Sequence, residues 1–169
     1  DARISLGCGD VFNIKAIYEA DGSTISANNT IPNVEFANLI GTLSTDDVVT
    51  GDASGARGRI VAIGGTNNRM YFIPVEDDKF TDGETVTAPN ATFKLEPGSI
   101  LLGGKDITDS FTLDNGQRDQ FYDYSSIVRK TGYAAPTHQI LIIFDRFLTT
   151  TGISPVSYTH LTLPTISCV

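Results

Sequence analysis

The sequence predicts a mainly β fold in two β-rich lobes, with at most one short helix. Three observations predict it. Glycine and proline punctuation is dense, 16 and 7 residues in 169, with many Thr, Asn and Asp, which favours short strands joined by tight turns. Apolar residues recur at period two in several stretches. A short strand-like pattern also appears twice, 37 residues apart, at the two ends of a hairpin signal.

Taken in order, Arg3–Leu6 and Val11–Tyr18 read as strands around the turn Gly7-Cys8-Gly9-Asp10. In the second, Phe12, Ile14, Ala16 and Tyr18 alternate with Asn13, Lys15 and Ile17, which predicts one more apolar face. Asp21-Gly22-Ser23 is a turn, and the polar run Ser26–Asn33 a loop or linker. Gly58–Ile63 and Arg69–Val75 flank Gly64–Asn68 as a hairpin. Leu43-Ser44-Thr45-Asp46-Asp47-Val48-Val49-Thr50 is echoed by Phe80-Thr81-Asp82-Gly83-Glu84-Thr85-Val86-Thr87. Two copies are too few for a solenoid, and matching entry strands at both ends of a hairpin suit a small barrel or curled sheet. Asn90–Leu95 is a strand and Glu96-Pro97-Gly98-Ser99 a turn. After Ile127–Lys130, a short strand, the run Gln139–Leu148 is apolar enough to be buried on both faces. The lobes are expected to be 1–33 with 97–150, and an inserted module, 34–96, with Val11–Tyr18 pairing with Ile140–Phe147.

At 169 residues and 40% hydrophobic content the chain can bury a sizeable core. A net charge of −8 argues against nucleic acid as a partner, because no basic patch exists to release phosphate counterions. No run reaches the ~18 apolar residues of a helical membrane span. Cys8 and Cys168 have no metal or disulfide spacing, and Cys8 is expected to be a small buried hydrophobe. Gly51-Asp52-Ala53-Ser54-Gly55 lacks the spacing of a nucleophile elbow. Asp114-Asn115-Gly116 fails the calcium-loop pattern, so Asp109, Asp114, Asp119 and Asp123 are read as turn caps and partners for Arg118, Arg129 and Lys130. No catalytic, cofactor-binding or metal residue is assigned.

The densest segment is 109–130, where Phe111, Phe121, Tyr122 and Tyr124 are interleaved with acids around Asp114-Asn115-Gly116. Asp114 can cap an ordered turn or a short helix over 115–124. Asn115 and Gly116 tolerate the positive φ of a sharp reversal. That reversal is expected to fold Phe111 and Leu113 back on Phe121 and Tyr124 as an aromatic knot, with Arg118 beside Asp114 or Asp119. Asp114, Asn115, Gly116, Arg118, Phe121, Tyr122 and Tyr124 are therefore the candidate structural or interface residues.

The stretch Asp106–Asp145 that contains this segment, with Ile4–Phe12 and Thr50–Ile63, resembles the large virion structural proteins of contractile-tailed cyanophages, placed with tail, baseplate or fibre components. The resemblance covers about residues 3–150. It implies a non-enzymatic segment of a longer virion protein, made in the host cytoplasm and assembling with other virion proteins or copies of itself. A carbohydrate-binding surface module, with a host-surface glycan held by Tyr122, Tyr124 or Tyr133, is the alternative. Val156–Ile166 changes character abruptly and resembles a translated sequencing adaptor, as in a metagenomic fragment. The tail 151–169, with His160 and Cys168, is therefore set aside.

Overall fold

The computed structural model describes residues 2–22, 25–64 and 68–147, with 27 and 28 by their backbone alone, and the backbone of 156–160. Cys168 lies outside the described residues. The fold is mainly β and divides into two compact units, Ser26–Gly104 and Asp1–Ile25 with Lys105–Val169.

In the first unit, a four-residue helix α1 (Ala27–Thr30) precedes six strands, β3 (Asn33–Gly41), β4 (Val48–Gly51), β5 (Arg57–Gly64), β6 (Arg69–Pro74), β7 (Thr85–Ala88) and β8 (Ala91–Leu95). They close into a barrel in the order β3-β6-β5-β4-β7-β8. Alternate side chains point inward, and Val34, Phe36, Val49, Ile60, Met70, Phe72, Val86, Phe93 and Leu95 fill the interior. Closure leaves no free sheet edge among the described residues of this unit. The flanks are tied down as well: Leu101 exchanges backbone hydrogen bonds with Asn33 of β3, and Gly104 N–H donates to the Thr30 carbonyl.

The 37-residue echo is a structural repeat. Exchanging β3 with β6, β4 with β7 and β5 with β8 leaves the neighbour list unchanged. Thr50 faces its counterpart Thr87, and the pair Asn33–Tyr71 maps onto Val34–Met70. The turns agree in detail. Asp47 accepts from Ser44 N–H as Glu84 accepts from Thr81 N–H, and Asp46 and Gly83 both sit at φ 71°. Ile60 N–H donates to the Asp47 carbonyl as Leu95 N–H donates to that of Glu84.

The second unit holds two open sheets. One has β1 (Arg3–Ser5), β11 (Ser126–Arg129) and β10 (Phe111–Asp114) in the order β1-β11-β10. The other has β2 (Val11–Glu19), β9 (Lys105–Asp106), β12 (Ile140–Arg146) and β13 (Val156–His160) in the order β13-β12-β2-β9. Val156–His160, part of the segment set aside from the sequence, forms the outer strand beside β12. Leu6, Val11, Ile17, Ile107, Phe111, Ile127, Ile140, Ile142 and Phe144 from both sheets make one core. Cys8 is only half-buried at its margin, contrary to the expectation of full burial.

The period-two reading of β2 fails at two points. Ile143 pairs with Ala16 and Phe144 with Ile14, so Lys15 is passed over; Asp145 pairs with Asn13 and Arg146 with Val11, so Phe12 is passed over. Each extra residue is a β-bulge, which flips the side-chain phase and re-aims the rest of the strand. Val11 and Ile17 therefore enter the core, and Phe12, expected on the apolar face, is exposed.

Candidate functional site

The candidate site is the loop from β10 to β11. Asp114 ends β10 opposite Ser126, so the strand pair holds both ends of the loop. The Asp114 carboxylate organises what lies between. Oδ1 accepts from Gly116 N–H at 3.0 Å and from Arg118 at 3.0 Å, while Oδ2 accepts from Arg118 and from Arg3 of β1, both at 2.7 Å. These bonds, Arg118 first, then Gly116 and Arg3, hold the Asp114 carboxyl well below the usual carboxylate range, and the Arg118 guanidinium is shifted up in return. Arg118 is the partner that the sequence suggested, and Arg3, far off in the chain, is the one it missed.

Gly116 turns the chain at φ 77°. A side chain there would overlap the Asp123 carbonyl, so this position requires glycine. Gly116 accepts from Asp123 N–H at 2.9 Å, the Phe121 carbonyl accepts from Arg118 N–H at 3.1 Å, and Gln117 bridges Tyr122. Asn115 Oδ1 accepts from Gln117 N–H at 3.1 Å. The segment 115–124 is thus an ordered turn and not a helix. Its base is pinned by Ser125, fully buried, whose Oγ donates to the Asn115 carbonyl at 3.0 Å and whose N–H donates to that of Cys8 at 2.8 Å.

The aromatic knot does not form. Phe111 is buried in the core, but Phe121, Tyr122 and Tyr124 are 61%, 81% and 63% exposed. The reason is the tight bridge of Gln117 to Tyr122: it leaves the loop too narrow to fold back on β10, so its rings face solvent. Tyr133, on another loop, is 45% exposed.

Beside the turn lies a hollow of about 530 Å³, lined by Asp10, Val11, Phe12, Leu113, Asp114, Asn115, Gln117, Arg118 and Phe147. The bulge that expels Phe12 sets its ring against Phe147, with centroids 4.4 Å apart and planes at 32°. Phe147 is fixed by its N–H, which donates to the Asp10 carbonyl at 3.0 Å, and Asp10 itself is held at φ 59°. Neither Phe12 nor Phe147 was singled out from the sequence, because a bulge leaves no mark in an alternating strand. Among the described residues no three of His, Cys, Asp and Glu are grouped as metal ligands. His138, the histidine left after setting the tail aside, joins Thr137 in clasping Glu19, whose Oε1 accepts both backbone N–H groups.

The chain matches no family model, no curated protein and no solved structure. The fold and the loop themselves are therefore what bear on function. No helix among the described residues is long and apolar enough to cross a membrane.

Proposed function

We propose that this chain is a structural segment of a phage virion, within a tail, baseplate or fibre component, that acts through protein–protein assembly and catalyses nothing. The observation that carries the reading is the aromatic loop. Three large rings stand in solvent on a backbone pinned by Asp114, Gly116 and Ser125. Interface cores are enriched in such residues, and a rigid loop loses little conformational entropy when a partner covers it. Grouped exposed apolar surface on a soluble domain marks contact sites. The resemblance to cyanophage virion proteins supplies the particle, and other virion proteins or further copies of the chain supply the partners. The net charge of −8 suits protein partners over DNA. Mass spectrometry of purified contractile-tailed cyanophage particles, fractionated into heads and tails, tests this. Peptides of the chain are expected in the tail fraction; their absence from particles would refute the reading.

A second reading, a carbohydrate-binding surface module, is favoured by the joint exposure of Tyr122, Tyr124 and Tyr133. Such rings can stack on the apolar face of a sugar while their hydroxyls stay wet.

A further inference from the structure

We infer that the hollow beside the 114–118 turn binds the ring of a neutral saccharide, with Phe12 and Phe147 as its stacking platform. This rests on the second, adhesive reading and moves its site from the tyrosines to the phenylalanine pair. Phe12 and Phe147 are 45% and 58% exposed although they touch, so each covers part of the other and leaves an apolar ledge open to solvent. A pyranose needs such a ledge for the face that carries its C–H groups. It also needs planar polar groups at the rim for its hydroxyls, and the hollow supplies them. Among the described residues, the Asp10 carboxylate and the Gln117 side-chain amide have no protein hydrogen-bond partner, and Asn115 uses only its Oδ1, towards Gln117 N–H. The backbone under these groups is already fixed by Gly116 and by the Asp10–Phe147 bond, so binding orders little.

Charge selects the class of ligand. Arg118 is committed through both terminal nitrogens to Asp114, and Arg3 takes the remaining position on the same carboxylate. Among the described residues the hollow is lined by two acids, Asp10 and Asp114, and one cation, Arg118, which is already paired, so nothing in the lining is free to hold an anion. An anionic ligand would have to displace a paired guanidinium, whereas a polyol satisfies the open acceptor and amides directly. A volume of about 530 Å³ is within the range of small-molecule sites.

Saturation-transfer NMR on the full chain tests the assignment, with millimolar methyl glycosides of glucose, galactose, mannose and N-acetylglucosamine as probes and N-acetylneuraminic acid as the anionic control. At least one neutral glycoside is expected to receive saturation. The signal should fall at least tenfold in Phe147→Ala and in Gln117→Ala, and persist in Tyr122→Ala/Tyr124→Ala. Gln117 is on an exposed turn, so that variant remains informative if Phe147→Ala fails to fold. Binding lost with the tyrosines but kept in both hollow variants would overturn this site and leave the adhesive reading standing. No transfer to any neutral glycoside would overturn both, and a change of oligomeric state in Phe147→Ala would then assign the ledge to a protein contact. Preference for the anionic sugar would also refute the proposal.

Discussion

The two turns related by the barrel repeat look alike but should differ sharply in what they contribute, and Glu84 is where that can be measured. Its carboxylate is buried and accepts four hydrogen bonds: Ala53 N–H at 2.9 Å, Ser54 N–H at 2.9 Å, Ser54 Oγ–H at 2.8 Å and Thr81 N–H at 2.6 Å. Asp47, its counterpart, accepts one exposed bond from Ser44. In Glu84→Gln the amide oxygen can keep Ala53 and Ser54. The amide nitrogen then faces Thr81 N–H, donor against donor. An orphaned buried donor costs about 1–3 kcal/mol, and the surviving bonds lose their charge assistance, so roughly 3 kcal/mol in total is expected. Asp47→Asn should cost under ~1 kcal/mol. The assay is native-state hydrogen exchange by mass spectrometry, with β2 and β12 of the other unit as an internal reference. Barrel amides in Glu84→Gln should exchange roughly a hundredfold faster, the factor that corresponds to about 3 kcal/mol. Burial raises the pKa of Glu84, but the Ser54, Thr81 and Ala53 donors outweigh it and leave the group below its ordinary value near 4.5. A depressed carboxylate contributes stability that is present above its unfolded pKa and lost as pH falls through the folded one. Wild-type barrel protection should therefore drop as pH falls below about 4.5, with a smaller drop in Glu84→Gln. Equal effects of Glu84→Gln and Asp47→Asn, or no effect of either, would mean that the buried Glu84 carboxylate does not hold the barrel turn together.

Tyr18 is buried in the second unit with its hydroxyl unpartnered among the described residues, and burial, with Asp106 nearby, pushes its pKa up. Tyr18→Phe should raise stability by about 1 kcal/mol or more in urea unfolding, and a loss would mean that the hydroxyl holds a buried water. Phe111→Ala should cost ~3–5 kcal/mol, whereas Phe121→Ala, at an exposed ring, should stay within about 0.5 kcal/mol; thermal unfolding of the two variants compares them directly. Gly116→Ala forces a positive φ on a residue with a side chain and drives it into the Asp123 carbonyl, so exchange over 115–125 should quicken while β12 is unchanged.

Much of the fold was legible in the sequence, because it rests on local chemistry. The hairpin of β5 and β6 announced itself through polar loop residues between apolar runs. The late strand β12 was apolar enough to demand burial, and β2 is a strand that pairs with it, as expected. The 37-residue echo pointed to a small barrel or a curled sheet, and the structure closes it as a barrel in which Val49 and Val86 hold equivalent inward positions and Asp46 and Gly83 equivalent left-handed ones. The site was legible only in part. Asp114 and Arg118 are four residues apart, so their pairing could be foreseen. Arg3 reaches the same carboxylate from 111 residues away, and no local pattern encodes that. The aromatics were read as a core knot because large rings are usually buried, but the bridge of Gln117 to Tyr122 turns them outward. The phase of β2 was misread at Phe12 because bulges depend on pairing with β12, which is a tertiary fact.

Assembly through the 115–124 loop can be read out by cross-linking mass spectrometry of intact purified particles. Lys130, Asp119 and Asp123 flank the exposed rings and take amine- and carboxyl-directed reagents. Cross-links are expected from these residues to other virion chains or to further copies of this one. If they link only within their own chain, while residues elsewhere on the molecule link outward, the loop is not the surface through which the protein assembles.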